Sequence, residues 1–583
     1  MARCRTDPRR GSLRRRDAPC RVLRRDPADL PTASRVSSRP QRARAGAGEL
    51  LPLGIVAVAL LLPLAGLLRY QGPPMEEGFM LVFPEQLLQG RLPHRDFLHL
   101  YGPGSLWMLA AVYEVFGVHV TVERLVGLLQ HATVAYALYA LLRPFGRVVA
   151  TASAVTSVVI LIGPLGLSAM AWNAALACAV ASLAVAAAAT RASGRRARVL
   201  AVVAGVLAGA SLLFRPDLVV AVTLATVAVV LRLAAPLRTR LLAGAGGALL
   251  LYVPHVLLSG IPESFRGMFL EPVFELRGGR TLPVPPSWSE VDGFLQRAGG
   301  LRVSGWPFPM PSLSHQIHLW FWLVPGSIVV VLAVAVLLRR REPGSARTTS
   351  LWPAALFGAG LITQAVQRPD TAHLAWVTGI TFPLLIPAVA SLVQLRRPRW
   401  PSWTGVSLGV GAVAVLLVAV IPFYPLRTYA DLVGQSFGRN RFGFPIERDG
   451  RTFYFGSEDG AASAQRVTDE LDRRAREGER LIVGPRDLSR TNYSDAFFYH
   501  LFPELVPGTR YIEMDPGIAN AEGSGLAEEL ERNDWLILSD AWSGWTEPND
   551  SAHAGSDAPN RVVEERYCSV EDAGTFELLR RCR

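Results

Sequence analysis

The chain contains no lysine, because all sixty of its basic residues are arginine. This absence excludes the phosphate-binding lysine of a P-loop, a pyridoxal Schiff base and any other lysine-dependent chemistry. Cysteine is also scarce, with five in 583 residues, and no spacing among them resembles a zinc site. No glycine-rich nucleotide fingerprint follows a predicted strand, so a nucleotide-binding loop of that kind is unsupported.

Charged residues are almost missing from the long apolar runs that fill most of the sequence. These runs have the length of roughly 17–25 residues that a helix needs to cross a bilayer. A soluble chain of this size would instead show amphipathic patterning over a few domains. We therefore predict an α-helical polytopic membrane protein with about eleven transmembrane helices, near 50–69, 122–143, 147–165, 169–190, 198–214, 217–234, 239–258, 318–338, 351–366, 373–394 and 404–424.

The first 46 residues form a basic tail that accounts for most of the net charge of +12. They contain 14 arginines and 4 aspartates, together with many proline, serine and glycine residues and no apolar period. This composition is typical of a disordered segment. Arginines before the first span place the N-terminus in the cytoplasm. A start codon assigned too far upstream is an alternative explanation for part of the tail.

Arginine in the short loops tests this topology. The loops 143–147, 190–198, 232–240, 339–347 and 396–403 are rich in arginine and all fall on the cytoplasmic side, as the positive-inside rule requires. The loops 70–121 and 259–317 and everything after 425 then lie outside the cytoplasm. Gly104–Gly117 is too short to span and reads as a helix in the membrane interface.

Residues 426–583 change character and predict a small extracytoplasmic α/β domain beside the transmembrane domain 47–425. A helix is expected over 458–479, and strands over 480–485, 510–516 and 534–540. Because an extracytoplasmic compartment is oxidising, Cys568 and Cys582 are expected to form a disulfide that closes the C-terminal strand or hairpin.

The distinctive polar residues lie at the predicted outer ends of the spans rather than inside them. His131 alone sits deep in a span, where a packing role is commoner than a relay. A coupled transporter usually carries more polar groups near the midplane. The outer polar residues are Glu76, Glu77, His94, Arg95, Asp96, His99, Arg215, Asp217, Arg368, Asp370 and His373.

Two Arg-Pro-Asp tripeptides, 215–217 and 368–370, stand at the outer face. In one interpretation, proline begins the next helix, aspartate caps it, and arginine anchors at the headgroups. In the other, the guanidinium groups converge on a phosphate at the membrane surface. The recurrence of such groups on one face favours the second interpretation.

The paired acids Glu76 and Glu77 also admit two interpretations. A carboxylate above an arginine-lined site could take the proton from an acceptor hydroxyl as it attacks. The alternative is a solvated loop acid, or the cap of a short helix that begins near Glu77. Asp96 is a weaker catalytic candidate, because Arg95 and Asp96 could simply orient the loop.

Residues 75–117, "MEEGFMLVFPEQLLQGRLPHRDFLHLYGPGSLWMLAAVYEVFG", resemble the first outer loop of GT-C-fold glycosyltransferases. That loop typically carries an acidic pair followed by glycine, a helix ending in "GxxPYRDF", and "PPG" or "GPG" opening an interfacial helix. The superfamily includes protein mannosyltransferases and lipid A aminoarabinose transferases, and Arg-Pro-Asp segments recur in its bacterial members. The resemblance covers roughly residues 50–425 and is most specific over 75–117.

The resemblance implies sugar transfer from a polyprenyl-phosphate donor, usually with inversion, with an acid of the first outer loop as the base. Glu76 stands where the family usually has Asp, so the choice between Glu76 and Glu77 is open, and His94 departs from "PYRDF". Some members use a divalent metal; we expect no cofactor here but leave metal open. The candidate catalytic residues are Glu76, Glu77 and Asp96, and the candidate substrate- and phosphate-binding residues are Arg95, Arg215, Asp217, Arg368, Asp370 and His373.

The hypothesis is a multi-pass membrane glycosyltransferase whose partners are a polyprenyl-phosphate sugar donor and an envelope glycan, lipid or protein acceptor, with no nucleic acid. A lipid or polysaccharide transporter, or a non-catalytic envelope scaffold, is the alternative. Amide variants of the acids separate the three: lost turnover with donor binding kept indicates the enzyme, altered flux indicates the transporter, and intact function indicates the scaffold. The loop 259–317 is either a substrate lid or a plain connector.

Overall fold

The computed structural model of the chain describes residues 42–72, 75–287, 313–420, 424–439, 443–543 and 547–582. Most of the tail predicted to be disordered and residues 288–312 of the second long loop lie outside the described residues. From Glu49 onward the chain forms one compact unit. The division into domains at residues 425 and 426 stays a prediction.

Eight helices in the described part of the chain are long and apolar enough to cross a membrane, which makes this a helical multi-pass protein. The apolar segments Gly104–Phe116, Pro216–Val230 and Ser402–Val418 are shorter. The predicted count of eleven spans is therefore not confirmed. The eight are Gly48–Leu67, Val120–Phe145, Arg147–Leu165, Ala171–Ala189, Gly194–Phe214, Ala235–Ser259, Ser314–Arg341 and Thr371–Arg396.

The predicted span 351–366 shows why the count differs. It is divided between the helices Ala346–Gly360 and Ile362–Gln367, and neither piece has the length that a bilayer requires. Ser345 caps the first piece, because its side chain accepts a hydrogen bond from the Thr348 backbone N–H. Tyr252–Ser259 is the last helical part of the span Ala235–Ser259. Other helical segments are Ile261–Phe265, Arg277–Arg280 and Tyr424–Ser436.

The first long loop contains two helices, Glu76–Leu88 and Gly104–Phe116. The Tyr113 hydroxyl donates to the Met80 carbonyl at 2.9 Å and joins them. Apolar residues of both helices share a core with the C-terminal region, where Phe83 and Phe497 are almost fully buried. Burial of this shared apolar surface holds the loop against the C-terminal region.

The strands of the C-terminal region are β1 Phe444–Arg448, β2 Arg451–Phe455, β3 Arg480–Pro485, β4 Val506–Pro507, β5 Trp535–Ser539, β6 Tyr567–Asp572 and β7 Phe576–Arg581. Five of them form a sheet in the order β4-β3-β5-β7-β6, and β1 and β2 form a separate hairpin. Strand β3 runs parallel to β4 and β5, whereas β5, β7 and β6 pair antiparallel. Its helices are Glu458–Arg474, Phe497–Leu501, Leu526–Glu531 and Ala558–Arg566.

The predicted strands 480–485 and 534–540 are confirmed, but the strand predicted over 510–516 is wrong. The chain turns there: the Met514 N–H bonds to the Tyr511 carbonyl at 3.0 Å, and Met514 has a φ of 51°. A positive φ does not fit an extended strand. The turn carries two buried acids, Glu513 and Asp515.

His131 lies inside the span Val120–Phe145 as predicted, with its Nε2 3.1 Å from the Gly166 carbonyl oxygen. The contact joins two neighbouring spans through one buried side chain. This agrees with a packing role rather than a relay.

The predicted disulfide between Cys568 and Cys582 is present and joins β6 to β7. We expect thiol labelling of denatured, non-reduced protein to reach three cysteines, and labelling after reduction to reach all five of the chain. Replacing both half-cystines with serine should lower the free energy of unfolding by about 3 kcal/mol, because the bond closes a loop of about 15 residues. Five reactive thiols before reduction would contradict the bond.

Candidate active site

Glu76 and Glu77 occupy the first turn of the helix Glu76–Leu88. Successive residues of an α-helix point about 100° apart, so the two carboxylates face different surroundings. The structure thereby separates the roles of two acids that the sequence presents as a pair.

Glu77 is held in a buried ion pair with Arg124. The Arg124 Nε lies 2.6 Å from Glu77 Oε1, and Nη2 lies 2.8 Å from Oε2. Arg124 also donates to the carbonyls of Leu67 and Tyr70. Both Glu77 oxygens are thus occupied by a fixed cation, which gives this acid a structural task. A role for Glu77 as the base stays a prediction that these contacts do not favour.

Glu76 has the opposite environment. Its Oε2 atom is buried and accepts no hydrogen bond from any residue that the structure describes. Burial raises the pKa of Glu76 above its ordinary value, nearby Asp370 raises it further, and Arg280 and Arg368 lower it. A buried carboxylate with an unused acceptor atom and a raised pKa has the properties of a general base that awaits a substrate proton.

Glu76 belongs to a group of charged residues from several parts of the chain, which we call the acid–arginine cluster. Loop, helix-end and C-terminal segments all contribute to it. Its members are Glu76, Arg280, Arg368, Asp370, Glu513, Asp515 and Glu547.

Arg368 is the most heavily bonded member of the cluster. Its Nε donates to Asp370 Oδ2 at 2.7 Å, and Nη1 donates to the Arg280 carbonyl at 2.6 Å. Glu547 accepts from Nη1 at 2.9 Å and also from Nη2. Four of the five N–H groups of this guanidinium therefore already have an acceptor among the described residues. A phosphate that made two bonds to Arg368 would have to displace one of these acceptors.

Asp370 connects Arg368 to His373. Its Oδ1 accepts from the His373 backbone N–H at 2.8 Å, so Asp370 caps the helix Thr371–Arg396, and the same atom lies 2.8 Å from His373 Nδ1. Burial opposes ionisation, but His373 and Arg368 hold the pKa of Asp370 below its ordinary value. Asp370 therefore caps a helix, as the first interpretation of this Arg-Pro-Asp motif predicts, whereas Arg368 is buried in ion pairs and its binding of a phosphate stays a prediction.

Arg280 has spare capacity for a ligand. Its Nη1 lies 3.2 Å from Asp515 Oδ1 but forms no hydrogen bond to a described residue. Its backbone is fixed by close packing, because a Cβ at Gly279 would lie 2.4 Å from the Pro516 carbonyl oxygen. Among the guanidinium groups of the acid–arginine cluster, Arg280 is thus the better placed to receive an anion.

The C-terminal region supplies the remaining acids of the cluster. Burial raises the pKa of Glu513 well above its ordinary value, and the neighbouring charges of Asp515 and Glu76 raise it further. A protonated Glu513 reduces the negative charge that the cluster has to accommodate. Tyr493 is buried and has a φ of 73°. Burial raises the pKa of its phenol, while the charges of Arg280 and Arg368 lower it by less.

The other Arg-Pro-Asp motif, residues 215–217, packs against a neighbouring group of aromatic rings. Arg215 makes two bonds to Asp217, at 2.9 and 2.6 Å, and Gln364 donates to Asp217 at 3.1 Å. The guanidinium lies 4.0 Å from the ring centroid of Tyr101 and 5.3 Å from that of Trp172. Trp172 stacks on Trp376 at 4.6 Å, and Trp376 contacts His373 at 4.9 Å. The two motifs are therefore connected through aromatic rings.

Arg95 and Asp96 have a different set of contacts. They bond to each other at 2.8 Å, Asp96 accepts from the Leu92 N–H at 2.7 Å, and Arg95 donates to the Leu258 carbonyl at 3.3 Å. These contacts orient the loop, which was the alternative interpretation of the pair. The catalytic role of Asp96 stays a prediction.

Two neighbouring histidines, His94 and His99, lie buried beside Tyr101. His94 Nδ1 is 2.9 Å from His255 Nε2, and His94 Nε2 is 3.2 Å from the Tyr101 carbonyl oxygen. The His99 ring packs against Tyr101 at 5.6 Å. Across the described ranges, no group of three His, Cys, Asp or Glu residues is arranged to hold a metal ion.

Sequence reasoning missed Arg280, Glu513, Asp515, Glu547 and Tyr493. A signal exists only for Arg280, which lies in the loop 259–317 that the sequence predicts to be either a substrate lid or a plain connector. The sequence contains no such signal for the C-terminal acids, because nothing in the local pattern shows that they lie near residues as distant in the chain as Glu76 and Arg368.

No protein-family model and no curated protein matches the chain. Solved structures similar to it include ArnT from Cupriavidus metallidurans bound to undecaprenyl phosphate, at 16% identity, with 92% of this chain and 98% of that chain covered and a TM-score of 0.46. The oligosaccharyltransferase AglB from Archaeoglobus fulgidus, in complex with an inhibitory peptide and a dolichol-phosphate, is 12% identical over 91% of this chain and 74% of that chain, with a TM-score of 0.44.

Both neighbours have the GT-C fold. Their TM-scores lie below 0.5, so they assign no residue role, substrate or activity to this chain.

Proposed function

We propose that this chain is an integral membrane glycosyltransferase that moves a sugar from a polyprenyl-phosphate donor to an acceptor outside the cytoplasm. The observation that carries the proposal is the environment of Glu76. Its Oε2 atom is buried and accepts no hydrogen bond from a described residue, and the charges of Arg280 and Arg368 act on its carboxylate. The fold-level resemblance of residues 75–117 supports the same reaction.

The chemistry assigns one task to each of three residues. The acceptor oxygen forms a bond to the anomeric carbon while the bond from that carbon to the phosphate oxygen breaks. Glu76 takes the acceptor proton, and the phosphate leaves with the electron pair. Arg280 stabilises the charge that develops on the phosphate. Arg368 is held by Asp370 and Glu547 and donates a hydrogen bond to the backbone carbonyl of Arg280, which fixes the position of Arg280.

The direct test is the release of free polyprenyl phosphate by purified full-length chain from a panel of polyprenyl-phosphate sugars, with and without chelator. Release by the wild type, lost in Glu76→Gln, supports the proposal, and the chelator samples show whether metal contributes. Absence of both release and donor binding would overturn it in favour of a scaffold, and flux of lipid across vesicles without release would favour a transporter.

Arg280→Ala is expected to weaken binding of a polyprenyl phosphate by about 10–100-fold, because a hydrogen bond to a charged group contributes about 1.5–3 kcal/mol. Arg277→Ala is the matched control, since Arg277 lies on the same short helix but is exposed. Titration of both variants with the lipid phosphate gives the comparison. Equal affinities of the two variants, with both folded, would remove Arg280 from the site.

The pH dependence follows from the raised pKa of Glu76. A base must be deprotonated, so kcat/KM should fall as the pH is lowered through this raised pKa, at a pH above the ordinary glutamate range. Residual turnover of Glu76→Gln should lack this limb. A wild-type profile that stays flat down to about pH 4.5, the ordinary value for a glutamate, would contradict the assignment.

A further inference from the structure

Residues Ile261–Glu275, which we call the outer aromatic segment, follow the span Ala235–Ser259 directly. The segment consists of the helix Ile261–Phe265 and the π-helix Arg266–Glu275. Gly260 follows the span and has a φ of 94°, a backbone conformation that favours glycine. The chain changes direction at this residue. The segment is therefore a separate element and not an extension of the span.

One face of the segment is attached to the rest of the protein. Ser264, Gly267 and Glu271 are buried along it. Glu271 forms ion pairs with Arg510 at 3.0 Å and with Arg266 at 3.3 Å. Gly267 packs so closely on His94 that a Cβ there would lie 2.6 Å from the imidazole. These contacts fix which face of the segment points away from the protein.

The opposite face is apolar and uncovered. Ile261, Phe265, Phe269 and Val273 recur at every fourth position, with Phe274 beside them. Phe265 and Phe274 are 54% and 63% exposed. Phe269 joins them, with ring centroids 5.3 Å from Phe265 and 5.9 Å from Phe274. A contiguous exposed aromatic face of this kind marks an interaction surface.

Lipid is the occupant that the surroundings favour. Leu257 and Leu258, at the end of the preceding span, are 73% and 54% exposed and continue the apolar surface. A helix that crosses a bilayer presents such side chains to acyl chains. The exposed pair Arg266–Glu275, 3.1 Å apart, supplies the polar margin typical of helices that lie in a membrane interface.

We propose that the outer aromatic segment lies in the membrane interface, with Phe265, Phe269 and Phe274 among the acyl chains of the leaflet on the side of the acid–arginine cluster. The partner is a lipid surface, and the proposal does not depend on the activity. The segment leads through buried Leu276 to the helix Arg277–Arg280. It therefore links the position of Arg280 to the depth of the bilayer.

The test uses full-length chain with Cys4, Cys20 and Cys178 replaced by serine, reconstituted in phosphatidylcholine vesicles. A nitroxide is attached at Phe265→Cys, Phe269→Cys or Phe274→Cys, and its collisions with oxygen and with a water-soluble nickel chelate are measured. Val253→Cys, exposed on the span, is the lipid reference, and Val506→Cys, exposed on β4, is the aqueous reference. We expect the oxygen-to-nickel ratio to be about fivefold or more above that at residue 506 and close to that at residue 253.

A ratio at the segment equal to that at residue 506 would place it in water and overturn the proposal. Labels shielded from both reagents would do the same, because a protein surface would then cover the aromatic face. Wild-type protein provides a check that needs no variant: a phospholipid with a photoreactive acyl chain should cross-link to the segment. Trypsin cleavage after Arg266 and Arg277 releases residues 267–277 for mass spectrometry, and their absence among the cross-linked peptides would count against the proposal.

Discussion

The Glu76→Gln variant is expected to lose about 10²–10⁴-fold in the rate of sugar transfer, the range that a positioned general base contributes. The amide keeps the shape of the side chain but cannot accept the acceptor proton. Donor affinity should be unchanged, because the phosphate is assigned to Arg280. Thermal stability should also be kept, since no described residue hydrogen-bonds to Oε2 of Glu76.

Turnover, donor titration and thermal unfolding, measured on the same preparation, separate these properties. Glu513→Gln is a useful comparison, because burial and its neighbours raise the pKa of Glu513 and favour its protonated form. An amide there should change the rate far less. A Glu76→Gln enzyme with the wild-type rate would refute Glu76 as the base and return Asp96 or Glu77 to consideration.

The spans could be predicted from sequence because a bilayer imposes its length on each helix regardless of tertiary contacts. The helix Thr371–Arg396 and its neighbours follow directly from apolar run length. The prediction stays unconfirmed where length is marginal, as over 351–366, which is divided between two short helices. Hydropathy shows a continuous apolar run there and gives no sign of the break near Leu361.

The site could be predicted only in part, because its decisive contacts join distant residues. Adjacent acids look equivalent in the sequence, and what separates Glu77 from Glu76 is an arginine 47 positions away. Likewise, Glu547 reaches Arg368 across 179 positions. The sequence predicts a strand over 510–516, yet the chain turns there, with a positive φ at Met514 between the two acids of the cluster. Local patterns contain none of this information.

The Glu77–Arg124 pair should be the most costly single ion pair to break. Both side chains are at most 2% exposed, so Glu77→Gln would leave a buried guanidinium without its counter-charge. Such changes destabilise a protein by about 3–5 kcal/mol. Gly72 reinforces the arrangement, because a Cβ at this position would lie 2.4 Å from Glu77 Oε2. Unfolding of the purified protein in detergent, followed by heat or denaturant, measures the loss.

A double variant identifies the cause of that loss. Glu77→Gln combined with Arg124→Met should cost less than the sum of the single changes, because the second change removes the unpaired charge. Glu275→Gln is the matched control: its pair with Arg266 is 38% and 54% exposed, so a loss of at most about 1 kcal/mol is expected. If Glu77→Gln instead kept full stability and lost turnover, Glu77 would be the base, and the buried pair would have to open during the reaction.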